Sequence, residues 1–249
     1  DHRALLRTIV TSRAYRQSSR VHATSLENDP DAVWLSRYPR QRLEAEMVRD
    51  VALQAAGLLS TKRFGPSVYP PQPEGLWQAA FNGQRNWKES EGEDRYRRGL
   101  YVFLRRTLPY PLLATFAAPS RETCTVCRVP TNTPLQAFVT LNDPVFPEAA
   151  PALARAVASA DPLAAPQAAD GSVEADLAWR GDLRKAVEAP LWRVLARTPS
   201  DEHVRTLVNL YIDARGDFAR DPDAARRFAG LEGGSSGEAA SAAPRWIAS

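Results

Sequence analysis

The clearest fold signal of the chain lies in residues 131–144, which read Thr131-Asn-Thr-Pro-Leu-Gln-Ala-Phe-Val-Thr-Leu-Asn-Asp-Pro144. Thr133 precedes a proline, which suits the first position of a helix because no hydrogen bond of its own is lost there. Gln136 follows three residues after Thr133, and this spacing predicts a capping box. Asp143 before Pro144 predicts the start of a second helix.

The same kind of helix start recurs along the chain. Further Asp-Pro pairs occur at Asp29-Pro30, Asp161-Pro162 and Asp221-Pro222, and a related pattern occurs at Thr198-Pro199-Ser200-Asp201. Hydroxyl and carboxylate oxygens at such positions accept hydrogen bonds from the free N–H groups of the first helical turn. We therefore expect helices to begin at these places.

Apolar residues at helical spacing predict the face that each helix buries. In residues 40–59 the predicted stripe consists of Leu43, Met47, Val51, Ala55 and Leu58, with Arg42, Glu46 and Arg49 away from its centre. A second stripe follows Asp143 and consists of Val145, Ala149, Ala152, Leu153 and Ala156. Similar spacing predicts helices at residues 5–10, 173–197 and 207–214.

Two regions are predicted to be nonhelical. Residues 64–75 contain Pro66, Pro70, Pro71 and Pro73, and we expect an extended loop there. Residues 98–107 are rich in β-forming side chains, and Thr125-Val126 is a candidate partner for them. The predicted fold class is mainly α, a multi-helix orthogonal bundle with a long proline-rich loop and at most a small β element.

Composition shifts suggest where the chain divides. Residues 159–172 and 230–243 are rich in alanine, proline, glycine and serine, as connectors are. We therefore predict a main helical body over residues 1–158, a smaller helical part over 173–229, and a flexible tail with the start of a further helix over 230–249. Because helical spacing begins within the first residues, we expect the chain to be part of a longer polypeptide.

Bulk composition excludes several classes of protein. The 249 residues are 44% apolar and 24% charged with a net charge of +3, values typical of globular proteins. Basic and acidic residues are interspersed, whereas nucleic-acid binders concentrate basic residues on one face, so we expect no nucleic-acid partner. No apolar run approaches the ~20 residues of a membrane-spanning helix.

Several segments together resemble one protein family. They are Ser12-Arg-Ala-Tyr-Arg-Gln-Ser-Ser-Arg-Val21, Arg40-Gln-Arg-Leu-Glu-Ala-Glu-Met-Val-Arg-Asp50, Gly65-Pro-Ser-Val-Tyr-Pro-Pro-Gln-Pro-Glu-Gly-Leu-Trp77, Tyr96-Arg-Arg-Gly-Leu-Tyr101, Pro119-Ser-Arg-Glu-Thr-Cys-Thr-Val126 and residues 131–144. They resemble the C-terminal domain-of-unknown-function family of large exported proteins that carry a planctomycete-type cytochrome c domain. The resemblance covers nearly the whole chain, and its most specific part is residues 131–144.

The resemblance implies a helical fold, a periplasmic, cell-surface or secreted location, and upstream domains of the same parent chain as partners. It also implies an association with polysaccharide use, but no established reaction and no catalytic residues. Any haem c would belong to another domain, since Arg128 follows the Cys124–Cys127 pair where haem attachment needs histidine. We therefore expect no cofactor in this chain.

The two cysteines are the only match to a chemical motif. A Cys-x-x-Cys pair can act in redox chemistry or supply half of a zinc site. The three histidines, His2, His22 and His203, lack the spacing of zinc ligands, so no metal site is predicted. Local packing of two small side chains, or a disulfide between Cys124 and Cys127 formed after export, is the favoured interpretation.

Polar residues along the most specific segments form a candidate pocket. It consists of Arg121, Glu122, Arg128, Asn132, Asn142 and Asp143. Helix starts attract anionic or hydroxyl-rich ligands, so these residues could line a binding site. The alternative is structural: the same side chains cap helices and form internal ion pairs.

Aromatic side chains in or beside the proline-rich segment offer a different site. Tyr69, Trp77 and Trp87 are candidates for stacking on sugars, or alternatively for anchoring the loop to the core. Taken together, the sequence favours a binding or assembly module associated with a cytochrome c domain and with polysaccharide. The alternative is part of a polysaccharide-active hydrolase, with acids of the 122–143 region in a shared active site.

Overall fold

The mainly α fold is confirmed by a computed structural model, which describes residues 1–73, 75–76, 86–160, 173–221 and 223–224, with backbone alone for 158–160 and 173–180. Within those ranges the chain forms the α-helices α1 His2–Thr11, α2 Ala23–Asn28, α3 Ala45–Ala55, α4 Pro111–Thr115, α5 Pro134–Asn142, α6 Val145–Ala160, α7 Val173–Leu195 and α8 Asp201–Arg220. Two 3₁₀-helical turns cover Gly92–Tyr96 and Gly99–Tyr101.

The chain divides into two compact units, Asp1–Leu43 (unit 1) and Glu44–Ser249 (unit 2). The predicted joint at 159–172 falls largely outside the described residues, as do most of the chain after the predicted helix start at Asp221-Pro222 and the whole predicted tail at 230–249. The predicted division at residues 158 and 173 therefore stays a prediction.

Unit 1 consists of α1, α2 and irregular segments. Asp1 caps α1 by accepting a hydrogen bond from the Arg3 N–H (3.0 Å). The prediction that a helix begins at Asp29 is wrong, because Asp29 ends α2. Its buried carboxylate instead accepts hydrogen bonds from the N–H groups of Trp34 (3.1 Å) and Ser36 (3.2 Å), so the capping chemistry shapes a loop.

The hydrophobic core of unit 2 lies where α3, α4 and α6 meet. Its buried members are Ala45, Leu53, Ala56, Leu58, Val102, Tyr110, Leu112, Leu113, Val145, Ala149 and Ala152. The predicted stripe of α6 is thus confirmed at its first three positions. Helix α7 packs on α3 and α6, and α8 packs on α7.

Helix α3 buries only part of the face that its apolar spacing predicts. Ala55 and Leu58 are buried as predicted, but Leu43, Met47 and Val51 are exposed, and Arg49 and Asp50 are buried together with Ala45 and Leu53. Arg49 lies two positions, or about 200° of helix rotation, from both Met47 and Val51, so this part of α3 buries nearly the opposite side. The cause is the irregular chain around Gly99, whose backbone groups need hydrogen-bond partners that apolar side chains cannot supply.

Contacts between α3 and Gly99 show this requirement directly. The Asp50 carboxylate accepts the Gly99 N–H (2.6 Å), and the Arg49 guanidinium donates to the Arg95 carbonyl oxygen (2.7 Å). A Cβ on Gly99 would lie 2.7 Å from the Glu46 Cα, so only glycine permits this close approach.

The proline-rich segment bends at Phe64 and Gly65, which have positive φ angles, and runs without helix over residues 67–73, where it contains the β element of the described chain. Val68 forms an isolated parallel bridge with Val102, so the predicted pairing of residues 98–107 with Thr125-Val126 is wrong. Arg97 anchors the segment by donating to the carbonyl oxygens of Phe64 (2.5 Å) and Pro66 (3.1 Å). The buried guanidinium also stacks on the Tyr101 ring at 3.8 Å.

Helix starts in unit 2 follow the sequence closely, with one difference. Helix α5 begins at Pro134 as predicted, but Thr133 makes no side-chain cap, so the capping box is absent. Gln136 is buried and donates instead to the Thr115 carbonyl oxygen (3.1 Å), tying α5 to the end of α4. Ser200 caps α8 by accepting the His203 N–H (3.4 Å).

Candidate functional site

The predicted pocket residues at 121–132 lie in an exposed loop that is tied to α3. Arg128 forms a two-point ion pair with Glu46, with nitrogen–oxygen distances of 2.6 and 2.9 Å. This hydrogen bond, aided by the charges of Arg128 and Arg121, lowers the pKa of Glu46 in spite of partial burial. Glu122 and Asn132 are exposed. Arg128 is thus held by an acid of α3, and the pKa of that acid also reflects the charge of Arg121.

The other two pocket residues lie at the junction of α5 and α6. The Asn142 side chain donates to the Phe138 carbonyl oxygen (2.8 Å) within its own helix. Asp143 is buried, and one carboxylate oxygen accepts the Val145 N–H (3.1 Å) at the start of α6. Each side chain thus has a structural role, and its part in ligand binding stays a prediction.

Asp143 belongs to a polar group that no sequence pattern predicted, in which Arg49 and Asp143 are buried and Arg98 is exposed. We call this group the Arg49 cluster. Its members are Arg49, Asp50, Arg95, Tyr96, Arg98, Tyr110, Asp143 and Glu148. The cluster joins α3, α6 and the irregular chain between residues 95 and 110. It arises because α3 turns its charged side chains inward.

Two carboxylates of the cluster are paired. Glu148 accepts hydrogen bonds from the Tyr96 hydroxyl (2.6 Å) and from Arg95 Nε (3.1 Å). Asp50 accepts from Arg98 Nε (2.8 Å). Burial, the hydrogen bond to Glu148 and that carboxylate's charge raise the pKa of Tyr96 to about 12. These carboxylates are held as acceptors within the fold.

Arg49 and Asp143 are the least satisfied members of the cluster. Arg49 is 1% exposed, and within the described part of the chain its Nε and Nη1 have no hydrogen-bond partner. Asp143 Oδ2 is also unpartnered there, while Oδ1 lies 3.4 Å from the Tyr110 hydroxyl. Leaving such atoms unpaired costs roughly 1–3 kcal/mol each.

Burial also changes the acidity of these groups. It raises the pKa of Asp143, although the Val145 N–H, the Arg49 charge and the Tyr110 hydroxyl act in the opposite direction. Burial and the neighbouring Asp143 raise the pKa of Tyr110, and burial lowers the pKa of Arg49. The cluster therefore holds a carboxyl group that retains its proton to higher pH than usual, next to a buried positive charge.

A sequence signal for this cluster exists in retrospect. Gly99 follows three large polar residues, Tyr96-Arg-Arg98, and such a glycine indicates a close backbone approach. The identity of the approaching helix, however, depends on the tertiary fold. Hydrogen bonds in the cluster join residues about fifty positions apart, which no local pattern reports.

The aromatic candidates Tyr69 and Trp87 come together, and Trp77 lies outside the described residues. Their ring centroids are 5.0 Å apart in an edge-to-face arrangement, and Tyr69 stacks on Phe103 at 4.9 Å. The Trp87 indole N–H donates to the Pro70 carbonyl oxygen (2.7 Å). Both rings are half-buried and hold the proline-rich segment against the core, while sugar stacking stays a prediction.

The remaining sequence predictions concern the two cysteines, metal binding and membrane-spanning helices. Cys124 and Cys127 are free, exposed thiols, so a disulfide between them stays a prediction. Among the residues whose placement is described, no three histidine, cysteine or acidic side chains are grouped to hold a metal ion. The helices in the same ranges are all too short or too polar to cross a bilayer.

Exposed apolar side chains form a second kind of candidate site. In unit 1 they line one side of α1 (the α1 face: Leu5, Leu6, Ile9 and Val10) and occupy a loop (the Trp34 loop: Val33, Trp34 and Leu35). In unit 2 they line α5 (the α5 face: Leu135, Phe138 and Leu141). Contiguous apolar surface of this kind marks interaction sites in soluble proteins.

Comparison with known protein families agrees with the resemblance stated above. The family model described as PSD1, a protein of unknown function (DUF1553), matches residues 1–211 of the 249. Comparisons with curated proteins and with solved structures found no match. Because the family model spans well over half of the sequence, the chain belongs to the PSD1 family of proteins of unknown function.

Proposed function

We propose that the chain is a binding and assembly module of a large exported protein. It associates with the upstream domains of its parent polypeptide, including a cytochrome c domain, and takes part in the use of polysaccharide at the cell surface or in the periplasm. The observation that carries the proposal is the placement of the α1 face, the Trp34 loop and the α5 face at the surface.

The hydrogen bonds that hold the candidate polar residues within the fold support this function. Asp143 accepts the N–H that begins α6, and Arg128 is held by Glu46. Side chains committed to the fold in this way are poor candidates for chemistry on a substrate, whereas exposed apolar faces are suited to a partner protein. The cytochrome c domain and the polysaccharide enter the proposal through the family resemblance.

Calorimetric titration of the chain with the separately expressed upstream domains tests the assembly role. We expect a dissociation constant of tens of micromolar or tighter, about −6 kcal/mol or better. Serum albumin at the same concentration controls for nonspecific adhesion of apolar surface. Absence of association at tens of micromolar would contradict the proposal.

A glycan panel tests the polysaccharide role. The fluorescence of Trp87 would change on binding if a sugar reached the Tyr69–Trp87 pair, and the Trp87→Phe variant is the matched control. If a glycan binds but the fluorescence of neither the unsubstituted chain nor the Trp87→Phe variant changes, the sugar does not bind at the Tyr69–Trp87 pair.

The raised pKa of Asp143 favours one alternative, a hydrolase with this residue as general acid. Assay of the full parent protein on the same glycans, with Asp143→Asn and Glu122→Gln variants, separates the two functions. Loss of activity in a folded Asp143→Asn variant would favour the hydrolase. Full activity in both variants would remove these acids from the reaction.

A further inference from the structure

Unit 1 lacks a hydrophobic core of its own. Among its 43 residues only Asp29 and Ala32 are buried. Its large apolar side chains are instead exposed, and they are Leu5, Leu6, Ile9, Val10, Tyr15, Val21, Leu26, Val33, Trp34, Leu35 and Leu43. A segment of this size seldom folds stably without covering such surface or adding a crosslink. We therefore expect these side chains to be covered when the protein functions.

The charge of unit 1 indicates the chemistry of that molecule. Residues 1–22 contain five arginines and one aspartate, a formal charge of +4, whereas the whole chain carries only +3. Arg3 and Arg7 precede Val10 by about two turns and one turn of α1, so they line one edge of the α1 face. A partner surface with carboxylates beside an apolar groove complements this arrangement.

The Trp34 loop presents its side chains from a preset backbone. Asp29 holds the N–H groups of Trp34 and Ser36, and Gln17 donates to the Leu35 carbonyl oxygen (2.6 Å). Arg37 donates to the Asp29 carbonyl oxygen (2.6 Å). Trp34 itself is 81% exposed. A rigid loop that displays a tryptophan loses little conformational entropy when that side chain enters a pocket.

The backbone of this loop favours a protein over a lipid surface. Ala32 and Leu35 have positive φ angles of 54° and 57°, and the Leu35 N–H donates to the Ala32 carbonyl oxygen (3.3 Å), so the loop has an irregular shape that its own hydrogen bonds fix. A protein pocket can complement such a fixed shape, whereas a fluid lipid surface cannot. A short basic helix alone would suit either partner.

We propose that unit 1 is a docking element. Its α1 face and Trp34 loop bind an apolar groove bordered by aspartate and glutamate side chains on a partner protein. The inference rests on the proposed assembly function and assigns that function to unit 1 rather than to the α5 face.

Binding of the full chain to the separately expressed upstream domains, measured by calorimetry, tests the assignment. We expect Leu6→Glu combined with Ile9→Glu, and separately Arg3→Glu combined with Arg7→Glu, to weaken binding at least tenfold. The matched control Leu141→Glu, on the equally exposed α5 face, should change it less than twofold. Affinity should also fall as salt is raised, less steeply for the Arg3→Glu and Arg7→Glu variant.

The outcomes separate the two proposals. No association of the unsubstituted chain would overturn the assembly function and with it the docking element. Association that survives both α1 variants but is lost in Leu141→Glu would overturn the docking element alone. Binding to vesicles of equal phosphatidylglycerol and phosphatidylcholine, without affinity for the upstream domains, would replace the protein partner by a membrane surface.

Hydrogen exchange of the full chain gives a second measurement. Amides of α1 should exchange much faster than those of α6 when the chain is alone, because no core protects them, and should slow at least tenfold when the upstream domains are added. Equal protection of α1 and α6 in the chain alone would show that α1 is already covered, which would overturn the inference.

Discussion

Unit 1 and unit 2 differ in the side chains that they bury. Unit 1 exposes its leucines, its isoleucine and Trp34, and its buried side chains are those of Asp29 and Ala32. Unit 2 buries an apolar core and, beside it, the ionic groups Arg49 and Asp143. The usual distribution, with apolar groups inside and charges outside, thus fails differently in the two units: unit 1 buries almost no apolar side chain, and unit 2 buries charged groups beside an apolar core.

The difference suggests separate roles for the buried charges of unit 2 and the exposed apolar side chains of unit 1. A buried charge contributes little net stability but specifies one arrangement, since any other arrangement leaves it unpaired. In unit 2 that arrangement is the packing of α3 against the chain around Gly99. An exposed apolar face contributes nothing to the isolated fold and becomes useful when a partner covers it. The following predictions test this contrast, beginning with the largest effect.

Removal of the Arg49 guanidinium should lower the stability of unit 2 more than the other substitutions proposed below. Arg49→Ala leaves the Arg95 carbonyl oxygen and Asp143 without their cation, and we expect the free energy of unfolding to fall by about 3–5 kcal/mol. The control Arg220→Ala removes an exposed pair with Asp217 and should cost no more than about 1 kcal/mol. Urea denaturation measures both. A loss below about 1 kcal/mol for Arg49→Ala would mean that water reaches the cluster.

The close approach at Gly99 should produce the next largest effect. In Gly99→Ala the new methyl group would meet the Glu46 backbone, at 2.7 Å from Cα and 2.8 Å from the carbonyl oxygen. We expect a loss of about 1–3 kcal/mol in urea denaturation. Gly216→Ala in α8 meets no atom within 4 Å and should stabilise the protein by up to about 1 kcal/mol. Equal effects in the two variants would contradict the close packing of α3.

Much of the fold follows from local chemistry in the sequence. The starts of α5, α6 and α8 are marked by proline, aspartate and serine, whose geometry and hydrogen bonding act within one turn. The presence of α1 is likewise predicted by its apolar spacing. These elements are predictable because each residue acts on its immediate neighbours.

In the errors, each side chain has a partner outside the helical turn that its spacing predicts. Asp29 and Gln136 carry the right groups for capping, but Asp29 accepts from N–H groups of the loop that follows it, and Gln136 donates to the Thr115 carbonyl oxygen at the end of α4. The spacing of Met47 and Val51 predicts a buried face, but the peptide groups near Gly99 require the opposite one. The Arg49 cluster was therefore beyond prediction, because its members are selected by long-range contacts.

Opposite pH dependences are expected for two acids of unit 2. Burial raises the pKa of Asp143, so its contribution to stability is present below its ordinary value of 3.8 and is lost as pH rises through the folded pKa. The Arg128 ion pair lowers the pKa of Glu46, so its contribution is present above 4.5 and is lost as pH falls through the folded pKa.

Two conservative variants measure the direction of each pH dependence. Relative to the unsubstituted chain, Asp143→Asn should gain stability as pH rises from 3 to 7, whereas Glu46→Gln should lose it. Urea denaturation across that range measures both differences. Slopes of the same sign would contradict the raised pKa of Asp143, and the contrast between the buried Asp143 and the ion-paired Glu46 would then not hold.

The smallest effect is expected in unit 1, and it bears most directly on the contrast. Trp34→Gln and Leu6→Gln remove large apolar groups that are 81% and 59% exposed, so the free energy of unfolding should change by no more than about 0.5 kcal/mol. Leu112→Ala, at a fully buried position of unit 2, should cost about 2–5 kcal/mol and serves as the control. A loss above about 1.5 kcal/mol for either unit 1 variant would mean that the chain buries that side chain by itself. An unchanged free energy, together with weaker binding to the upstream domains, would separate the two roles: the side chains of unit 1 would then act in association and those of unit 2 in folding.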